Sequence, residues 1–317
     1  MQHDATGRPA ARHVSCAEKD TRRRIPVART TRRGKHSARA ALLTAVLSWP
    51  VAACSQIPLF DHVVVVVMEN HSQSEIIGNT AKAPYINSLA SDGANFTQSF
   101  AVEHPSEPNY LDLFSGSNQG VTDDSCPHTF STDNLGSQLI AAKLTFVGFS
   151  ESLPVANPTV CTYGTHGYAR KHNPWVNFSN VPAASNQPFS AFPADFSTLP
   201  TLAFVVPNLC NDMHDCSIAT GDQWLADNLG GYAQWARAHD SLLVLTWDED
   251  DGSATNQIPT VFAGALVIPG NYTGTINHFN VLATLEAMYG LDPLGAAAGK
   301  TVITDVWDAT LFRNGFD

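Results

Sequence analysis

Ser106 lies in the segment His104-Pro105-Ser106-Glu107-Pro108-Asn109-Tyr110, downstream of an apolar run, Val63 to Val67, that stops at Met68-Glu69-Asn70-His71. A buried strand ending in a carboxylate, followed by a serine in a Pro-bounded turn, is one way for an α/β enzyme to build a metal-activated nucleophile. The design recurs at Leu242-Leu243-Val244-Leu245-Thr246-Trp247, a second apolar run that ends in Asp248-Glu249-Asp250-Asp251-Gly252. Carboxyl ends of strands in an open parallel sheet share one edge, so clusters this far apart in sequence can converge. Glu69, Asn70, Asp248 and Glu249 would supply oxygen ligands only, with the Ser106 oxygen completing the shell. Hard oxygen donors favour one divalent ion, Ca²⁺, Mg²⁺ or Mn²⁺, over Zn²⁺. Such an ion would lower the pKa of the Ser106 hydroxyl and neutralise a phosphate oxygen. Taken singly, Asp250 and Asp251 read as solvated loop carboxylates. The acidic run is no EF-hand, because its glycine stands fifth and no distant Glu follows in register.

Several histidines could serve the same chemistry. His214, in Asn211-Asp212-Met213-His214-Asp215, follows a strand-like run and is well placed to bind a phosphoryl oxygen or protonate a leaving alkoxide, although a surface-loop role fits this segment equally. His172 follows Arg170 and Lys171, and in so acidic a chain that cluster reads either as an anion site or as a solvated turn. Asn109, in the turn after Ser106, joins Arg170 and Lys171 as a candidate contact to substrate phosphate. His278 opens a helical stretch whose N-terminus could hold an anion, and a capping role fits it as well. His71, His104, His128 and His166 carry less weight. Motifs for other hydrolases are absent: there is no Gly-x-Ser-x-Gly elbow and no Arg-His-Gly triplet.

The first 53 residues differ from the rest. They hold 11 of the 18 basic residues and three acidic ones, and Thr31-Arg32-Arg33-Gly34-Lys35 precedes an apolar segment from Ala40 to Ala53. That pattern predicts an export leader over 1–53, by the Sec or the Tat route, with a core too short for a membrane span. Cys54, directly after Val51-Ala52-Ala53, fits a lipoprotein signal as well as an ordinary cleavage site. The remaining 54–317 carry seven basic against 26 acidic residues, a formal charge of −19 where the whole chain has −11. A surface of that sign repels nucleic acid and anionic membranes, which excludes DNA and RNA as partners. Length and the lack of repeats or linkers predict one α/β domain over 54–317, with the oligomeric state left open. Four cysteines follow Cys54; in an exported chain they suggest Cys210 with Cys216 and Cys126 with Cys161, with a zinc site as the weaker rival.

The elements that must position these groups alternate between strand and helix. Strands are expected over His62 to Met68, Ala94 to Val102, Thr145 to Phe149, Thr201 to Val206, Ser241 to Trp247 and Val261 to Ile268. Helices are expected over Pro84 to Ala90, Asn109 to Phe114, Leu135 to Ala142, Gly221 to Ala238 and Asn280 to Tyr289. Residues 152 to 200 are rich in Pro, Asn and Ser and read as a functional rim. The order predicts an α/β fold with a central, mainly parallel sheet flanked by helices.

Together, Val66-Val67-Met68-Glu69-Asn70-His71-Ser72, His104 to Leu111, Tyr168 to His172, Asn211 to Asp215 and Thr246 to Gly252 resemble the bacterial phosphoesterase family of acid phosphatases and phospholipases C. The likeness runs in order from Phe60 to Trp307 and implies an alkaline-phosphatase-like fold. It implies a nucleophile at Ser106, metal ligands at Glu69, Asn70, Asp248 and Glu249, and phosphate-facing histidines at His214, His172 and His278. Fewer histidines than in the two-zinc members of that superfamily imply a single metal. The expected activity is a secreted phosphomonoesterase, with phosphoinositides such as phosphatidylinositol 3-phosphate among its substrates and transient contact with membrane lipid. The alternatives are a phospholipase C-like phosphodiesterase and a calcium-dependent phosphoinositide- or glycan-binding module.

Overall fold

Five successive valines, Val63 to Val67, are almost wholly removed from solvent in strand β1 (His62–Met68), which therefore needs a strand on each side and a helical layer on each face. The computed structural model describes residues 57–308, and the leader expected over 1–53 and Cys54 lie outside them. After β1 come α1 (Gln73–Ile76), α2 (Pro84–Asp92), β2 (Ala94–Phe96), β3 (Ser99–Phe100), α3 (Ser106–Ser115), α4 (Leu135–Ala141), β4 (Phe146–Ser150), β5 (Thr162–Tyr163), β6 (Tyr168–Ala169) and β7 (Asn186–Pro188). The chain continues through β8 (Leu202–Val206), α5 (Ile218–Ala236), β9 (Ser241–Trp247), β10 (Thr260–Gly264), β11 (Gly270–Tyr272), β12 (Ile276–Asn277) and α6 (His278–Met288).

The main sheet has the order β11-β2-β10-β9-β1-β8-β4-β7. β1 pairs in parallel with β8 and with β9, and β4 in parallel with β8 and β7, while β10 runs antiparallel to β9 and β2. Alternate β1 side chains feed opposite cores, as the two-residue period of a strand requires. Val63, Val65 and Val67 pack with α3 and α6 residues such as Leu111, Phe114 and Leu282; Val64, Val66 and Met68 pack with α2 and α5 residues such as Ile86, Leu225 and Tyr232. Each Val, Leu, Ile, Phe or Met side chain so buried contributes roughly 1.5–3 kcal/mol.

Several expected elements shift. Ala94 to Val102 divides into β2 and β3, which belong to different sheets. The helix expected from Asn109 begins at Ser106, so the serine sits at the first helical position rather than in a turn. That helix ends at Gly116 in the left-handed region, φ 69°, where a Cβ would meet the Leu294 carbonyl oxygen at 2.2 Å. The stretch from 152 to 200 carries five short 3₁₀ turns among irregular loops, and it also supplies β5, β6 and the edge strand β7. Both expected disulfides, Cys126–Cys161 and Cys210–Cys216, are formed. Among the described residues no helix is long and apolar enough to cross a membrane.

Candidate active site

The carboxyl ends of β1 and β9 lie side by side, with Met68 opposite Trp247, so Glu69-Asn70 and Asp248-Glu249 leave the sheet as neighbours. Asn70 takes a left-handed conformation, φ 49°, which Asn tolerates better than most residues. Its N–H donates to Asp248 Oδ1 at 3.2 Å, stitching the two strand ends together. Helix α3 brings Ser106 to this edge. The Ser106 hydroxyl lies 3.2 Å from Glu69 Oε2 and 3.0 Å from Glu249 Oε1, and one O–H can donate to only one of them at a time. Tyr110, one helical turn after Ser106, donates its hydroxyl to the other Glu69 oxygen.

The electrostatics are unbalanced. Glu69, Asp212 and Asp248 are within 1 % of full burial, and Glu249 is 5 % exposed. Burial first, then Asp248 and Asp212, push the Glu69 carboxyl well above the usual range. Burial and Glu249 push Asp248 up to about 7, against the nearby Ser106 hydroxyl and the Asn70 N–H. Burial, with Asp248 and Asp215, raises Asp212 well above normal despite the His214 N–H. Against these stands the Lys171 ammonium, whose pKa is raised because Glu69 and Asp124 outweigh its own desolvation. Asn70 Oδ1, Asp248 Oδ2 and Asp212 Oδ2 are buried with no hydrogen-bond partner among the described residues. Buried, unpaired oxygens of this kind are stable when a cation satisfies them. The residues therefore fit a divalent ion: Glu69, Asn70, Ser106, Asp248 and Glu249 offer an all-oxygen shell. Glu69, His172 and Asp212 also offer ligand atoms lying within 4.8 Å of one another, so a nitrogen donor borders the same site.

The expected phosphate contacts divide. His214 is exposed and sits in the loop closed by Cys210–Cys216, with Nδ1 held by Asp215 Oδ1 at 2.7 Å and its ring 6.0 Å from that of His172. His172 does not face an open phosphate seat. It is 1 % exposed, stacks on Tyr110 at 5.1 Å and lies 3.3 Å from Glu69 Oε1 and 3.6 Å from Asp212 Oδ2; burial, together with Lys171 and His214, lowers its pKa. His278 is buried, bonds the Trp247 carbonyl through Nε2 at 2.9 Å, and is pushed down to about 4 by burial, so it props the end of β9 as a neutral ring.

Arg170 and Asn109 are corrections. The Arg170 guanidinium donates to Asn177 Oδ1 and to the carbonyls of Thr159, His128 and Val176, so four of its five N–H groups clamp loops rather than face an anion. The Asn109 amide accepts from the N–H groups of Val102 and Glu103 and donates to the carbonyls of Glu103 and Pro105, bracing the approach to Ser106. Lys171 stays at the site, bonded to Asp124 at 2.6 Å.

The sequence singles out neither Tyr110 nor Asp212, and it gives His104 too little weight. Tyr110 is findable, since it shares the helix face of Ser106 at i+4. Asp212 lay inside a motif in which the histidine drew attention. His104, whose Nδ1 bonds Glu249 Oε2 and whose Nε2 bonds the Ser253 carbonyl, had no local signal beyond standing two residues before Ser106. Glu249, Asp250 and these bonds raise its pKa against desolvation.

Known proteins share this frame. A Mycobacterium tuberculosis phosphatidylinositol-3-phosphatase is 57 % identical over 258 residues, covering 80 % of this chain and 85 % of that protein. An acid phosphatase of Aspergillus fumigatus is 32 % identical over 247 residues, 71 % of this chain and 55 % of the fungal one, so the chain spans about half of that longer relative. The fold is that of the alkaline phosphatase superfamily: a Vibrio parahaemolyticus member superposes with a TM-score of 0.55 at 12 % identity, over 78 % of this chain and 72 % of that one. The residue pattern of the phosphoesterase family matches residues 79–292. The chain belongs to the phosphoesterase family.

Proposed function

We propose that this protein is an exported, metal-dependent phosphomonoesterase of the acid phosphatase type, with Ser106 as nucleophile and phosphoinositides such as phosphatidylinositol 3-phosphate among its substrates. The observation that carries this reading is the Ser106 hydroxyl at the start of α3, within 3.2 Å of two carboxylates from different strand ends. The name of the mycobacterial relative supports the phosphoinositide substrate. Disulfides Cys126–Cys161 and Cys210–Cys216, with the leader expected over 1–53, support export. A lipid anchor at Cys54 remains part of the same proposal.

Glu69, Asn70, Ser106, Asp248 and Glu249 would hold the ion, with His172 and Asp212 bordering it. When bound, the ion supplies positive charge that acidifies the serine hydroxyl and balances a phosphate oxygen. Glu249 or Glu69 accepts the Ser106 proton as Oγ forms its bond to phosphorus. The Lys171 ammonium and the α3 N-terminus stabilise the phosphoryl oxygens. His214, with Nδ1 fixed by Asp215, gives a proton to the departing alkoxide as the P–O bond breaks. Water then hydrolyses the phosphoserine, returning Ser106 and free phosphate.

Ser106→Ala should abolish p-nitrophenyl phosphate turnover while the melting temperature stays near that of the parent. Full activity in that variant sinks the proposal. A preference for a choline phosphodiester over the monoester favours a phospholipase C-like reaction, and phosphoinositide binding without turnover favours a binding module.

A further inference from the structure

The space beside Ser106 that a phosphoryl group needs holds an anion supplied by the chain itself. Asp124 Oδ1 accepts the Glu107 backbone N–H at 3.0 Å, and its Oδ2 accepts from Lys171 Nζ at 2.6 Å. Glu107 directly follows Ser106, so its N–H is one of the free donors that project from the start of α3. Lys171 is the cation whose charge acts on Glu69, Asp212 and Asp248. A phosphoryl group on Ser106 Oγ would call on these same two donors, the adjacent main-chain N–H and the nearby ammonium.

Among the described residues nothing ties the carboxylate there beyond those two bonds. The Asp124 side chain is 32 % exposed and can turn into solvent, where its charge is well hydrated. Its loop is anchored two residues on by Cys126–Cys161, and Cys161 leads into β5, which pairs with β6 just before Arg170-Lys171. The disulfide thus keeps Asp124 close to Lys171 in whichever direction the carboxylate turns.

We propose that Asp124 occupies the phosphate seat in the free enzyme and is displaced by the phosphoester dianion, so that it sets the affinity of the site for phosphate. The proposal rests on Ser106 being the nucleophile. An internal ligand lowers apparent affinity by the fraction of molecules whose seat is empty. Asp124→Asn keeps the side chain's shape and removes its charge, and should lower the Ki of inorganic phosphate and the KM for p-nitrophenyl phosphate by about ten-fold. Asp124→Ala should shift both in the same direction. Lys171→Met should raise both constants and cancel the gain in the Asp124→Asn, Lys171→Met double variant.

Calorimetric titration of inorganic phosphate into Ser106→Ala, with and without Asp124→Asn, reads the affinity without turnover, and the tighter binding should appear there too. A phosphate affinity that is unchanged or weaker in Asp124→Asn overturns the proposal, since Asp124 then only holds Lys171 in place. That outcome in an active parent leaves the serine mechanism standing, whereas turnover by Ser106→Ala removes the mechanism itself.

Discussion

With no divalent ion bound, Glu69, Asp212, Asp248 and Glu249 are buried near the ammonium of Lys171, and Asp248 shows what that costs. Its carboxyl is moved from 3.8 up to about 7 by burial and by Glu249. A folded pKa above the unfolded one means that, between about pH 4 and 7, the folded state keeps a proton the unfolded chain has lost. The contribution is fully present below pH 4 and is lost as the pH rises to 7, leaving a penalty of about 4 kcal/mol at pH 8. Asp248→Asn removes the ionisation and still accepts the Asn70 N–H. In chelator at pH 8 the variant should therefore exceed the parent's stability by roughly 2–4 kcal/mol, and the two should nearly coincide at pH 4. A divalent ion at a hundred times its Kd should stabilise the parent by about 2.7 kcal/mol. For a domain of this size that raises Tm by roughly 5–10 °C. Asp248→Asn should lose this rise. The assay is scanning calorimetry in EDTA and then with Ca²⁺, Mg²⁺, Mn²⁺ or Zn²⁺ in turn. A parent whose Tm responds to none of them, or a chelated variant less stable than the chelated parent at pH 8, refutes the account of the site as a cation cage.

Two further outcomes follow from single contacts. Tyr110→Phe deletes the hydroxyl that donates to Glu69 and should weaken metal binding about 10- to 100-fold by calorimetric titration, while the ring keeps its stack on His172; unchanged affinity would show that Glu69 is oriented without it. Glu286 is fully buried on α6, accepts the Leu294 N–H, and is pushed up to about 7 by burial. Its folded pKa is also raised, so its contribution is present below about pH 4.5 and lost by pH 7. Glu286→Gln should gain roughly 2–3 kcal/mol over the parent in urea melts at pH 8 and nothing at pH 4.5; a difference independent of pH contradicts this.

The chain by itself determined the strands that matter and the residues at their ends. An unbroken apolar run is a local property, and where it meets Glu69-Asn70 or Asp248-Glu249 the strand must stop at the sheet's carboxyl edge; β1 and β9 accordingly have the limits read from sequence. The cysteine pairing was similarly legible, because Cys210 and Cys216 are near enough in sequence to close their own loop. The tertiary structure alone decided what Arg170, Lys171 and His172 do. They are consecutive, and a 3₁₀ turn sends successive side chains about 120° apart. One therefore clamps loops, the next faces Asp124, and the third is buried between Glu69 and Asp212. Asn109 and the choice between the two roles of His278 were not legible for a related reason: a polar side chain in a promising segment is equally able to satisfy buried backbone, and only the packed chain shows which groups would otherwise lack a partner. Distances between groups far apart in sequence, and the charge imbalance they create, exist only once the sheet has assembled.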